Sequence, residues 1–437
     1  MDENPSRTKP LLPVLGLVGA VLVASVVGFW PDGDKPATAI PVAAPSASLP
    51  PLLPPTAEPV PVTPFSQVAD LLDDQVQALV KGDEAGWLAP VDKKLHPRYR
   101  TIFKNLRALD LTAADMVIHG EVKTKGGTLT SRVGLAYCFS GNDCPAYGLE
   151  PGSGSPKMIS NLTWSARNGS WTITKANDSG IDNYMQPAPW EKADLTVARS
   201  ARVIVAGPKS QARNVKRVLR LADKAAVVAD RFAGRLNNPQ KVYRIYVADN
   251  KVWKSWYDGR RPAWAVAYHR QHDGIGSDII LKASQVLSGN DRYATEIIQH
   301  EMAHAVTLGG TRNRDDEDDM WLIEGIAEYI GYLPAKPRAT YSRDALRYVH
   351  SRRGPIKTIA LPSLGGKPDD VLVTRLYATG HFAVGCMAAK YGETKMLDFV
   401  DMVLHEGMEP DVAAPIAFRK PFKTVDKACV SWIKRQL

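Results

Sequence analysis

Cysteine is scarce in this chain. Four occur in 437 residues and no two form a C-x-x-C pair, which excludes a zinc ribbon or finger held by thiolates. No dense Lys/Arg run interleaved with aromatics occurs, and a net charge of +9 is modest for the length, so nucleic acid is not an expected partner. No internal repeat of solenoid period is present. Long apolar runs are absent but for one: Leu11 to Trp30, "LLPVLGLVGAVLVASVVGFW", holds 20 residues without a charge. As a helix rising ~1.5 Å per residue it matches a hydrocarbon core of roughly 30 Å.

Arg7 and Lys9 precede this run, and Asp32, Asp34 and Lys35 follow it. The positive-inside bias therefore predicts a cytoplasmic segment at 1–10, a single transmembrane anchor at 11–30, and an extracytoplasmic remainder at the cell membrane. The competing reading is a cleaved signal peptide, with "ATA" at Ala37 to Ala39 as the cleavage site. Signal cores usually run about 7 to 15 residues, shorter than this one, which favours an uncleaved anchor. Residues 31–64 contain 11 prolines and only four charges, a composition that sustains neither helix nor sheet and reads as a semi-extended linker.

Two domains are expected beyond the linker. In 65–185, "SQVADLLDDQVQALV" places Val68, Leu71, Leu72, Val76, Leu79 and Val80 on one helical face. Alternating runs such as "DMVIHGEVKT" and "TLTSRVGLAYCFS" follow, separated by Gly and Asn turn signals. Helices before an antiparallel sheet make an α+β accessory domain. Its pattern resembles the cone-shaped domains related to nuclear transport factor and the SnoaL-type cyclases, and no site residue is carried over from that likeness. In 190–437 a small mixed sheet, read from "LTVARSARVIVAGP", "KVYRIYVAD", "AWAVAYHR" and "SDIILKAS", precedes a helical lobe, again α+β. Cys138 and Cys144 flank a loop short enough to close, while Cys386 and Cys429 lie in separate segments. Two disulfides suit an oxidising compartment; buried thiols are the alternative.

Chemistry concentrates in "IIQHEMAHAVTLGG". With only nine histidines in the chain, two stand four residues apart with a glutamate after the first. Ser288 or Asn290 can cap a helix here and Gly309 and Gly310 can end it. His300 and His304 then share one helical face and can both ligate one ion, at about 2.0 to 2.1 Å for zinc. Glu301 is the expected general base toward a water whose pKa the ion lowers to roughly 7. Twenty positions beyond His304 is Glu324, in "MWLIEGIAEYIG", the expected third ligand, which leaves one coordination position open. Glu328, one turn on, is placed to accept the free N–H of a ligating histidine.

"HEMAH" followed by "WLIEGIAEY" resembles the gluzincin metallopeptidases, the peptidase MA-like group related to thermolysin and the aminopeptidases. Both motifs occur in order, on what would be the two core helices. A metzincin would need Gly at 307 and His at 310, where Thr307 and Gly310 stand. The resemblance implies a Zn2+ cofactor, a peptide or protein substrate, and a tyrosine in Y-x-x-G that hydrogen-bonds the oxyanion. Tyr377 and Gly380 in "LYATGHF" fit, 53 residues after Glu324. His381 beside them reads as structural. The G-x-M-E-N segment that grips a free amine in aminopeptidases is missing, which favours an endopeptidase. "GIGSDIILKAS" is expected as the edge strand that receives substrate. The rival reading is a non-catalytic protein that keeps the zinc fold to bind a cell-surface partner or ligand; a third makes the 65–185 domain the functional centre, with the peptidase vestigial.

Overall fold

The computed structural model describes residues 63–142, 156–167, 169–179, 186–259, 261, 264–272, 276–309, 319–365 and 368–437. The expected membrane anchor, almost the whole proline-rich linker and Cys144 lie outside the described residues. Among those described, one helix, Asp370–Tyr391, is long and apolar enough to cross a membrane, and it is mostly buried inside the protein.

Helix α1 (Pro64–Lys81) starts at a Thr63–Ser66 capping box with proline in the first turn and stops at Gly82, whose φ of 81° suits a residue without Cβ. Its apolar stripe packs on a four-stranded antiparallel meander, β1 (Leu111–Lys125), β2 (Thr128–Phe139), β3 (Lys157–Arg167) and β4 (Ser170–Asp178), joined by α2 (His96–Ala108). Buried indoles anchor this core and find partners for their N–H groups: Trp87 donates to the Tyr99 carbonyl at 2.8 Å and Trp164 to Ser131 at 3.0 Å.

The second sheet runs β5 (Leu195–Arg199), β6 (Val203–Pro208), β7 (Tyr243–Ala248), β9 (Gly276–Lys282), β8 (Ala267–His272) in spatial order. β6, β7 and β9 are parallel, and the outer strands β5 and β8 are antiparallel. Helix α3 (Ala212–Arg235) makes the crossover between β6 and β7. The strand predicted as the edge, "GIGSDIILKAS", is instead interior: β9 pairs with β7 on one side and β8 on the other. Its run Ile279–Leu281 is apolar on both faces, the signature of a strand covered on both sides rather than one at a rim. The edge belongs to β8, from "AWAVAYHR".

Both faces of this sheet are buried. Val205, Ile245, Val247, Ile279 and Leu281 point into the core of a helical lobe. That lobe holds α4 (Asp291–Leu308), α5 (Met320–Gly331), α6 (Tyr341–Arg353), α7 (Asp370–Tyr391), α8 (Glu393–Leu404), α9 (Pro410–Phe418) and α10 (Phe422–Gln436), short helical turns being left unlabelled. The alternate residues Ile204, Ala206, Tyr246, Tyr268 and Ile280 share one core with α1, β2, β3 and Trp190. The meander unit therefore covers the back of the sheet whose front faces the lobe. Cys386 and Cys429 are bonded and tie α7 to α10, Cα to Cα 5.6 Å; Cys138, at the end of β2, is also disulfide-bonded.

Candidate metal centre

Helix α4 begins where the Asn290 side chain accepts the Tyr293 amide at 2.9 Å. At its other end the Asn238 amide donates to the carbonyls of Ala305 and Val306, at 3.2 and 2.9 Å, which the helix itself leaves unpaired. From Ile297 to Leu308 every residue is buried, so the helix crosses the interior and its histidines cannot be surface groups. Gln299 on α4 donates to the Ile330 carbonyl at 2.5 Å and fixes α4 against the end of α5.

Glycines set the spacing of the three helices. A Cβ on Gly325 of α5 would stand 2.7 Å from the Gly380 carbonyl oxygen of α7, and one on Gly380 would stand 2.5 Å from the Trp321 carbonyl oxygen. Two backbones in direct contact leave no room for any side chain there. Glycine inside a helix costs about 1 kcal/mol relative to alanine, and here the close approach carries Tyr377, one turn before Gly380, to the Glu324 carboxylate. Gly331 similarly lets α5 lie against His300, where a Cβ would come within 3.0 Å of the histidine Cβ.

The result is a convergence. His300 Nε2 lies 3.0 Å from His304 Nε2, and the two stand 3.3 and 3.4 Å from Glu324 Oε2. Tetrahedral zinc with bonds of 2.0 to 2.1 Å places its donor atoms roughly 3.3 Å apart, so the three atoms have the spacing of a closed ligand face. Glu328 Oε1 stands 3.1 Å from His300 Nδ1, on the side away from the cluster. Glu301 is fully buried, and neither of its carboxylate oxygens has a hydrogen-bond partner. Tyr377 lies within hydrogen-bond reach of Glu324, its ring stacked at 6.2 Å on that of His300. His381 faces away from the ligand atoms: its Nδ1 is 2.9 Å from Ser342 and its ring is stacked on Tyr332.

Electrostatics point the same way. Glu301, Glu324 and Glu328 are all buried, and among the described residues none pairs with a lysine or arginine. Burial pushes the Glu301 carboxyl well above the usual range, His300 opposing and Glu324 reinforcing the rise. Glu328 is raised by burial against the pull of His300. Burial also acts on Glu324, but His304 and His300 outweigh it and bring its pKa to about 2. Burial disfavours the His300 imidazolium, yet Glu324 and Glu328 raise its pKa to about 10. Without a guanidinium or ammonium among the described residues, the three carboxylates rely on the His300 imidazolium, and a dication held by His300, His304 and Glu324 would take its place.

Comparison with known proteins gives structural likeness only. No family model and no curated protein matches the sequence. Among solved structures, a two-domain M1 zinc metallopeptidase bound to L-arginine is 12% identical with a TM-score of 0.30, over 73% of this chain and 61% of that one. An M1 zinc metallopeptidase from Deinococcus radiodurans is 11% identical with a TM-score of 0.32, over 74% and 62%. This chain thus spans about three-fifths of the length of those metallopeptidases. A protein of unknown function from Mycobacterium tuberculosis is similar over 26% of this chain and 69% of its own, with 11% identity and a TM-score of 0.21.

One neighbour of the site carries no motif and was not singled out in the sequence. His269, on edge strand β8, places its ring 6.2 Å from that of His304. The available signal was a histidine at an apolar-facing position of an alternating strand, which is too common to stand out.

Proposed function

We propose that the chain is a zinc-dependent peptidase that hydrolyses internal peptide bonds, held at the cell membrane by residues 11–30 with its folded domains outside. The observation that carries the reading is the donor triangle of His300, His304 and Glu324 beside the orphaned carboxylate of Glu301. A buried carboxylate without a partner costs stability, and a use at its site is the reason to keep one; its neighbours have the identity and spacing that zinc takes. A purely structural scaffold would have no need of Glu301.

Bound zinc would supply a Lewis acid for the scissile carbonyl and a lowered pKa for the attacking water. The chain's own groups do the rest. Glu301 takes the proton from water as it attacks and delivers it to the leaving amine; a carboxyl whose pKa burial has raised is suited to hold that proton between the two steps. The Tyr377 phenol donates a hydrogen bond to the oxygen on which negative charge develops. Glu328 accepts from His300 Nδ1–H, which fixes the ring so that Nε2 faces the ligand triangle. Absence of an amine-gripping glutamate segment favours an endopeptidase, and β8 offers the unpaired strand edge along which an extended peptide can lie. In this reading the 65–185 domain, rather than being the functional centre, backs the sheet.

Elemental analysis and a peptide-pool assay on Glu301→Gln test the assignment. Zinc should be retained and hydrolysis should fall by a factor of roughly 100 to 10,000. Full activity in this variant, or no zinc in the native protein, would overturn the reading.

A further inference from the structure

Strand β8, beside His304, holds a side chain that the mechanism above does not use. His269 pairs with Ile279 across the β8–β9 ladder. Ile279 and the β8 residue Ala267 both point into the lobe core with α4, whereas Tyr268 points into the core behind the sheet. By the two-residue alternation of a strand, His269 therefore leaves β8 on the metal side. It is almost fully buried, and its Nε2 is shut from solvent without a hydrogen-bond partner. Interior imidazoles of structural purpose are hydrogen-bonded; this one sits 6.2 Å, ring to ring, from a candidate metal ligand. Its strand has one partner, β9, and among the described residues no strand pairs with its other edge.

Resting on the peptidase reading, we infer that His269 is a substrate-binding residue: its ring nitrogen donates a hydrogen bond to a carbonyl oxygen of a peptide laid along β8, next to the scissile bond. An imidazole carries no negative charge in either protonation state, so His269 itself gives no hold on a free α-ammonium. Substrates with an internal or acylated residue at that position are accepted, and peptides that present a free amino terminus there are discriminated against. His269 thus stands as a specificity determinant where an aminopeptidase would need a carboxylate.

The test uses the full zinc-loaded chain and the variants His269→Ala, His269→Gln and His269→Glu, with zinc content as the control. Two probes are titrated by calorimetry: acetohydroxamate, which engages metal alone, and an N-acetylated dipeptide hydroxamate, which also engages the β8 wall. Zinc stoichiometry and acetohydroxamate affinity should be unchanged throughout. His269→Ala should weaken the dipeptide probe by about tenfold or more, and His269→Gln should recover most of that loss. His269→Glu should turn the preference toward the unacetylated dipeptide hydroxamate, again by about tenfold. Unaltered dipeptide affinity in His269→Ala, or equal weakening of both probes, would overturn the assignment. A native chain that binds zinc and both probes yet cleaves no peptide would sink the peptidase reading alone, because the affinity comparison still decides His269; a native chain with neither zinc nor probe affinity overturns both.

Discussion

Two buried polar clusters lie on opposite faces of the second sheet, and they balance charge in opposite ways. Behind the sheet, Asp278 of β9 accepts a hydrogen bond from Tyr257 and lies 2.9 Å from His272 and 3.9 Å from Arg244. Arg244 in turn stacks on Phe139 of the meander, 4.3 Å from the ring centre. Burial drives the Asp278 pKa upward, but His272, Arg244 and Tyr257 outweigh it and hold it below the usual range. One carboxylate there has its own guanidinium. In front of the sheet, three carboxylates have none. Burial of titratable groups therefore does not by itself mark a functional site; the identity and spacing of their partners do. A carboxylate tied to an arginine is a structural junction between the meander and the sheet, while carboxylates that meet only imidazoles at ligand spacing suit a metal ion.

Substitutions that exchange these behaviours probe the contrast, and the largest effect is expected in front. There, Glu301→Gln should cut hydrolysis by a factor of roughly 100 to 10,000 while leaving zinc and thermal stability nearly intact, since burial already favours the neutral carboxyl whose shape the amide keeps. Zinc content and melting temperature measured on one preparation check both halves. Behind the sheet the reverse holds: Arg244→Met leaves Asp278 with His272 and Tyr257 but without its guanidinium, and should destabilise the fold by up to about 3 to 5 kcal/mol without altering zinc stoichiometry, as read by urea unfolding and elemental analysis. Chelation sharpens the comparison further. Removing zinc from the native chain should lower its melting temperature, because the bound ion stabilises the folded state by mass action, and Glu324→Ala should make the chain insensitive to chelator.

The smallest effect concerns Glu191, at the rim of the rear cluster, where it accepts the Ala188 amide at 2.7 Å. Burial raises its pKa from 4.5 to about 7, against the hydrogen bonds from Ala188 and Gln186. Between those values the folded chain binds more proton than the unfolded chain, so stability falls as pH rises through this window. Glu191→Gln, which can still accept from Ala188, should flatten the slope and add at most on the order of 3 kcal/mol at pH 8. Denaturant midpoints at pH 5 and pH 8 measure it; an unchanged slope would contradict the assignment.

Much of this organisation was legible residue by residue. The helical period after Phe65, the glycine closing α1, and the H-E-x-x-H and W-L-x-E-G-x-A-E-Y patterns are local signals, carried by φ preferences and by which faces must leave water. Strand order is not local. β8 and β9 are both short and largely buried, and which of them forms the rim depends on a parallel pairing between β7 and β9 that no turn signal encodes, so the predicted edge fell one strand off. His269 went unremarked for the same reason, since its meaning comes from the helix it faces rather than from its neighbours in the chain. The Y-x-x-G pattern was visible, but its physical basis, backbone contact between Gly325 and Gly380, required both helices in place.

By itself the sequence determined the elements, the one-turn spacing of His300 and His304, and the supply of carboxylates, because propensity, capping and helical period act over a few residues. Only the tertiary structure decided that Glu324 meets those histidines at ligand distance, that no lysine or arginine among the described residues reaches them, and that Arg244 reaches Asp278 instead. Net charge within a buried volume sums over segments far apart in the chain, and packing alone brings them together.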